Sequence, residues 1–168
     1  MVEGLYIKMK LIEQSDDGTT LAICYQDDGA FHVLVVSAEG SFIEDINVTK
    51  LLHLDRKSKP VEGFWEPGIV CSFLPGEAGQ SGTASRIMIC VYHRYEFKQY
   101  HFVYSLQERK MTTDVTVSEI KNSTYLNFPV KSFYSGVLGS VFVYYRQGHC
   151  FTIDPASPKT CRCEKITD

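Results

Sequence analysis

Apolar and β-branched residues come along this chain in short, strand-length runs, each ended by glycine, aspartate or proline rather than continued at helical spacing. Leu21-Ala22-Ile23-Cys24-Tyr25 leads into Gln26-Asp27-Asp28-Gly29, and Asp-Gly between two such runs is a strong signal for a two-residue hairpin. Ala38-Glu39-Gly40 marks the next reversal, ahead of a third run ending at Val48. The same order of run, polar turn and run returns over Met88–Val117, with turns near Glu96-Phe97-Lys98 and over 107–110. It returns again over Val141–Ile166, with a turn at Gln147-Gly148 and closure by Pro155 and Pro158. Further strand-like runs at Leu5–Ile12, Ile69–Leu74 and Tyr125–Val130 precede the copies. This pattern predicts an all-β chain built of repeated antiparallel β-meanders, at a spacing that suits four-stranded units with variable connectors.

Two stretches break the rhythm. Residues 49–59 (TKLLHLDRKSK) read as a short helix or an irregular connection, ended by Pro60 because the residue before proline avoids the α region. Residues 75–85 (PGEAGQSGTAS) lack apolar periodicity and have the composition of an exposed loop, so an internal boundary of the single domain 1–168 is expected there.

In the second copy, Phe102-Val103-Tyr104-Ser105-Leu106 followed by a turn resembles the β-propeller blade repeats of the kelch and F-box-associated kind. The kelch glycine doublet and the Trp-Asp dipeptide of the other large propeller group are absent, so the resemblance is to a blade in general and assigns no residue a role. It implies a propeller-like stack of about three blades. Closed propellers have roughly four to eight blades, so the ring would be incomplete, with rims open to a partner or to another copy. The alternative is a β-sandwich or barrel, the repeat then being hairpin periodicity alone.

Composition supports a packed core. Apolar residues make up 44% and charged residues 22% of the chain, outside the range of disordered or fibrous sequences. No apolar run approaches the roughly 18 residues of a membrane-spanning helix, and the N-terminal residues do not have the order of a signal peptide. The expectation is an intracellular protein, cytoplasmic or nuclear, with the six cysteines as thiols and the sequons at Asn47 and Asn122 unused. The net charge of −3 specifies no charged partner, although the stretch from Arg86 to Arg146 is basic between acidic ends.

The candidate chemistry is sparse. His149, Cys150, Cys161 and Cys163 are potential zinc ligands, but adjacent strand residues point to opposite faces and the spacing matches no finger, so no metal and no cofactor is assigned. GEAGQSG over 76–82 lacks the Gly-Lys-Ser/Thr ending of a phosphate loop, and Ser81 lacks the frame of a nucleophile elbow. Asp16, Asp17, Asp27 and Asp28 sit where aspartate commonly bonds its own backbone in turns. No catalytic constellation is visible, and the chain reads as a non-enzyme.

The stripe His93-Arg94-Tyr95-Glu96-Phe97-Lys98-Gln99-Tyr100-His101 interleaves cations and rings. Single-stranded nucleic-acid platforms do this, and a nucleic-acid-binding β domain using residues 93–101 is the alternative reading. The preferred expectation is a protein-protein interaction module or adaptor, partnering another protein or a second copy of itself, with no membrane. Aromatic and arginine side chains supply contact area and directed bonds at such surfaces. Arg94, Tyr95, Phe97, Tyr100, Trp65 and Tyr145 are therefore the candidate binding residues, each of them also readable as core.

Overall fold

The computed structural model describes residues 8–27, 29–54, 68–76, 85–94, 96–124 and 127–166. They form three antiparallel sheets that follow one another along the chain. Sheet A holds β1 (Lys8–Gln14), β2 (Thr20–Asp27), β3 (Ala30–Ser37) and β4 (Phe42–Asn47), each paired with the next. Sheet B holds β5 (Ile69–Leu74), β6 (Arg86–His93), β7 (Lys98–Ser105), β8 (Lys110–Met111) and β9 (Thr116–Glu119). Sheet C holds β10 (Pro129–Ser135), β11 (Ser140–Tyr145), β12 (His149–Ile153) and β13 (Cys161–Lys165). The chain is all-β and its repeated meanders are propeller-like, as the run-and-turn pattern predicts. Each copy in fact begins one strand earlier than its most aromatic part.

The turns form for the reasons the sequence offers. Asp27 pairs with Ala30 across a two-residue loop in which Gly29 has φ +80°, a conformation that costs glycine nothing and most residues a steric clash. In β13's approach to the β11–β12 turn, Gly148 has φ +81°, and a Cβ there would lie 2.9 Å from the Ile166 carbonyl oxygen. The tight turn and the last hydrogen bond of the sheet, Ile166 N–H to Gly148 O at 2.8 Å, therefore both need glycine.

The fourth strand of sheet B departs from the expected continuous run over 111–120. It is interrupted, and β8 and β9 both pair with β7. Between them Thr113 Oγ1 accepts the Val103 N–H at 3.0 Å, a side chain taking a ladder position while the backbone bulges away. Of the stretch 49–59, expected as a short helix or an irregular connection, residues 49–54 are described, and there α1 (Val48–Leu51) forms a single turn, capped by Asn47, whose side chain accepts the Lys50 N–H at 2.9 Å. His53 at φ +50° ends it, with Leu54 N–H closing on Thr49 O, so Pro60 is not what stops it. The expected boundary over 75–85 lies mostly outside the described residues. The strands on either side of it, β5 and β6, pair along their whole length.

The sheets stack face to face, with B in the middle. The face of B that carries Ile69, Cys71, Ile87, Ile89, Val91 and Phe102 packs on the Ala22, Cys24, Val33 and Val35 face of sheet A. Its other face carries Val70, Met88, Cys90 and Val103, and packs on Val141, Val143, Phe151 and Ile153 of sheet C. Covered on both sides, β5 is buried at all six positions, and apart from Ser72 it reads as an apolar run rather than an alternating one. The first strands converge: β5 adjoins both β1 and β10. At the second of these junctions Ser72 Oγ donates to Ser132 Oγ at 2.7 Å, and Ser132 Oγ donates in turn to the Cys71 carbonyl at 2.8 Å. Three stacked meanders with their first strands together are the arrangement of propeller blades, not the two facing layers of a sandwich.

Candidate functional site

The β6–β7 hairpin brings three of the candidate residues, Arg94, Phe97 and Tyr100, to one end of sheet B. His93 pairs with Lys98, leaving residues 94–97 as the tip. Tyr95 lies outside the described residues, as does Trp65. The tip is fastened at Phe97, whose φ is +52° and whose carbonyl accepts the Ile120 N–H at 2.8 Å. The loop is thereby tied to the end of β9. Glu96 ties the other side. Its carboxylate accepts the Tyr100 hydroxyl at 3.2 Å and Lys98 Nζ at 3.3 Å. The Lys98 bond leads the causes that hold the Glu96 carboxyl below its usual range, while burial and then Glu96 push the Tyr100 phenol up. The Phe97 ring is 36% exposed, and Val117, opposite Tyr100 on β9, is 50% exposed. Phe97 and Val117 offer apolar area on a pinned turn, with Arg94 and Lys98 supplying positive charge.

Tyr145 is elsewhere. It is 3% exposed, between sheets B and C, and is a core residue rather than part of a rim. Its hydroxyl donates to Gln99 Oε1 at 2.5 Å, in a chain that continues through Gln99 Nε2 to His101 Nδ1 at 3.3 Å. His101 Nε2–H then donates to the Pro158 carbonyl at 2.8 Å. A carbonyl can only accept, so the histidine is the neutral Nε2–H tautomer, and burial lowers its pKa. Gln99 and His101 are both fully buried. Within the stripe 93–101, Gln99 and His101 thus turn into the B–C interface, while Lys98 and Tyr100 between them are part-exposed.

His149 is engaged in the same way. Asn127 Nδ2 donates to its Nδ1 at 3.1 Å, and its Nε2–H donates to the Lys121 carbonyl at 3.2 Å. Neither nitrogen is left to hold a metal. Cys150 pairs with Glu164 on the outer face of sheet C, whereas Cys163 pairs with Phe151 on the inner face. Among the described residues no cluster of three or more metal-ligating side chains forms. A cleft of about 360 Å³ opens beside His149, lined by Glu119, Lys121, Asn122, Cys163 and Lys165. Burial pushes its Cys163 thiol up to about 11, so the sulfur stays protonated and is not an activated nucleophile. The six cysteines are free thiols. Among the described residues no helix is long and apolar enough to cross a membrane.

The sequence signals that located the tip were its turn residues and the aromatic density around them. The Gln99–His101–Tyr145 chain gave no such signal, because its partners come from different sheets.

No protein family and no curated protein matches the chain. Solved structures similar to it include the Pan2 WD40 domain of Neurospora crassa, at 11% identity and a TM-score of 0.47, over 94% of this chain and 36% of that one. Another is BBS1N from its complex with ARL6DN, at 13% identity and a TM-score of 0.43, over 95% of this chain and 39% of that one. The chain spans less than two fifths of the length of either structure.

Proposed function

We propose that this chain is a non-enzymatic protein-interaction module of cytoplasmic or nuclear proteins, docking another protein through the β6–β7 hairpin tip. The observation that carries the reading is the pinned, partly apolar turn at Phe97: a part-exposed residue whose backbone carbonyl accepts the Ile120 N–H, flanked by the Glu96–Lys98–Tyr100 cluster. A fixed loop loses little conformational entropy on binding, so its contact area converts into affinity more efficiently than that of a flexible one. Arg94 and Tyr100 are the polar contacts of this surface, with Tyr95 and Trp65 assigned to it from the sequence. Tyr145, being core, has no part in it.

The test is affinity capture with mass spectrometry, using wild type and the triple variant Arg94→Ala/Phe97→Ala/Tyr100→Ala, with circular dichroism to verify folding. Specific partners retained by wild type and lost by the folded variant are the expected result. Unchanged capture by the variant would remove the hairpin tip from the reading. Binding of labelled RNA or DNA that weakens with salt would favour the nucleic-acid alternative instead.

A further inference from the structure

Sheet B is covered on both faces, whereas sheets A and C each keep one face open, and each open face carries an apolar patch among its polar residues. On sheet A one row across the strands runs Ile12, Ile23, Leu34 and Asp45. The next runs Leu21, Val36 and Phe42. Ile12 is 56% and Phe42 70% exposed, on the two edge strands of the sheet. An antiparallel sheet with one wet face alternates apolar and polar residues; β3 reads Val33-Leu34-Val35-Val36 without a break, as a doubly covered strand does. On sheet C the open face carries Phe133 stacked on Phe142 at 5.3 Å and on Tyr144 at 6.0 Å. The row containing Phe133 and Phe142 continues through Thr152 to Arg162.

The fourth strands of the two faces offer opposite charges, Asp45 on sheet A and Arg162 on sheet C, the latter with Glu164 two residues on along the same outer face. Asp45 is on β4, the fourth strand of sheet A, held in place by the Tyr25 hydroxyl at 2.9 Å and His32 Nδ1 at 3.2 Å. Arg162 is on β13, the fourth strand of sheet C. Within the chain, first strands of successive sheets adjoin. A sheet A stacked on a sheet C in the same manner would place fourth strand beside fourth strand, and Asp45 beside Arg162.

We propose that two copies of this chain join head to tail, the open face of sheet C in each covering the open face of sheet A in the other, to close a ring of six blades. The contact joins unlike faces and occurs twice, about the two-fold axis of the dimer. It repeats the A–B and B–C stacking already present in each copy, and it closes after two copies instead of growing into a fibre. The Asp45–Arg162 pair sets its register, and the Ile23, Leu34, Phe133 and Phe142 side chains supply the buried area. The hairpin tip takes no part, so this proposal stands or falls separately from the docking role of Phe97.

Sedimentation velocity on the whole chain, from submicromolar to high micromolar concentration, is the test. The expected result is a species of twice the chain mass with nothing larger. Leu34→Glu on one face and Phe142→Glu on the other are each expected to give a folded monomer. Asp45→Arg and Arg162→Asp should each weaken the dimer by about tenfold, the order expected for loss of a close interfacial charge pair. The two changes combined should restore it. A wild-type monomer at every concentration overturns the proposal, and that includes the case in which another protein's blades cover these faces. Open-ended polymers overturn the closed ring. A dimer that survives either Leu34→Glu or Phe142→Glu overturns the head-to-tail contact, since it would join a face to itself.

Discussion

The hydroxyl of Tyr145 donates to Oε1 of Gln99 at 2.5 Å, across the interface between the third and second sheets and 46 residues apart in sequence. This bond starts a chain of side chains that ends on the Pro158 carbonyl, and it joins two blades by directed bonds where the surrounding contacts are apolar. A buried amide oxygen deprived of its donor bears its desolvation cost in full. Tyr145→Phe is therefore expected to destabilise the fold by about 1–3 kcal/mol, measured by urea denaturation, with little change in m-value. A change within experimental error would mean that the bond contributes nothing net.

His101 makes stability depend on pH. Burial holds its folded pKa below the ordinary 6.5, so the unfolded chain takes up a proton first as pH falls. The unfolded state then binds more protons, and stability falls with falling pH. The contribution is complete above pH 6.5 and is lost as pH falls through the folded value. Urea midpoints of wild type should therefore drop more steeply between neutral and mildly acidic pH than those of His101→Gln. Equal slopes would show that His101 is not the group responsible.

Thiol reactivity should divide by location. Cys24 and Cys71 lie with sulfurs 3.5 Å apart and fully buried between sheets A and B. The Cys71 thiol is pushed well up by its bond with Cys24 and by burial, and that of Cys90 by burial. Burial shields all three sulfurs, and Cys71 and Cys90 in addition form little of the reactive thiolate, so these three should resist iodoacetamide in the folded protein. Peptide mass spectrometry is expected to find Cys163, the exposed thiol, labelled first, with Cys24, Cys71 and Cys90 labelled only in denaturant. Early labelling of Cys71 would mean that the A–B interface opens.

Gly68 marks the start of the β5–β6 ladder. Its carbonyl accepts the Tyr92 N–H at 2.7 Å, and a Cβ on it would lie 2.6 Å from the Tyr92 carbonyl oxygen. Backbone cannot move aside as a flexible side chain can, so Gly68→Ala must push the strands apart. The expected cost is about 1–3 kcal/mol, typical of overpacking, and a lower thermal midpoint would report it. Gly136→Ala, where a Cβ meets nothing within 4 Å, serves as the control and should leave the midpoint nearly unchanged.

Local chemistry alone determined a good part of this molecule. Asp27-Asp28-Gly29, Ala38-Glu39-Gly40 and Gln147-Gly148 specify reversals through the conformations their residues allow, and the β-branched runs between them specify strands, so three meanders could be read directly. The exposed hairpin tip around Phe97 was legible on the same grounds. Tertiary structure decided which side of each strand is covered. Strand periodicity assigns a residue to one of two faces but carries no information about what lies against that face. Tyr100 and Tyr145 stand in similar aromatic runs, yet the first ends near the rim and the second in the core, because sheet B packs over the end of β11. Gln99 and His101 looked like members of a polar surface stripe for the same reason. Their partners, Tyr145 and Pro158, arrive from 46 and 57 residues away, and only the stacking of sheet on sheet brings them within hydrogen-bond reach.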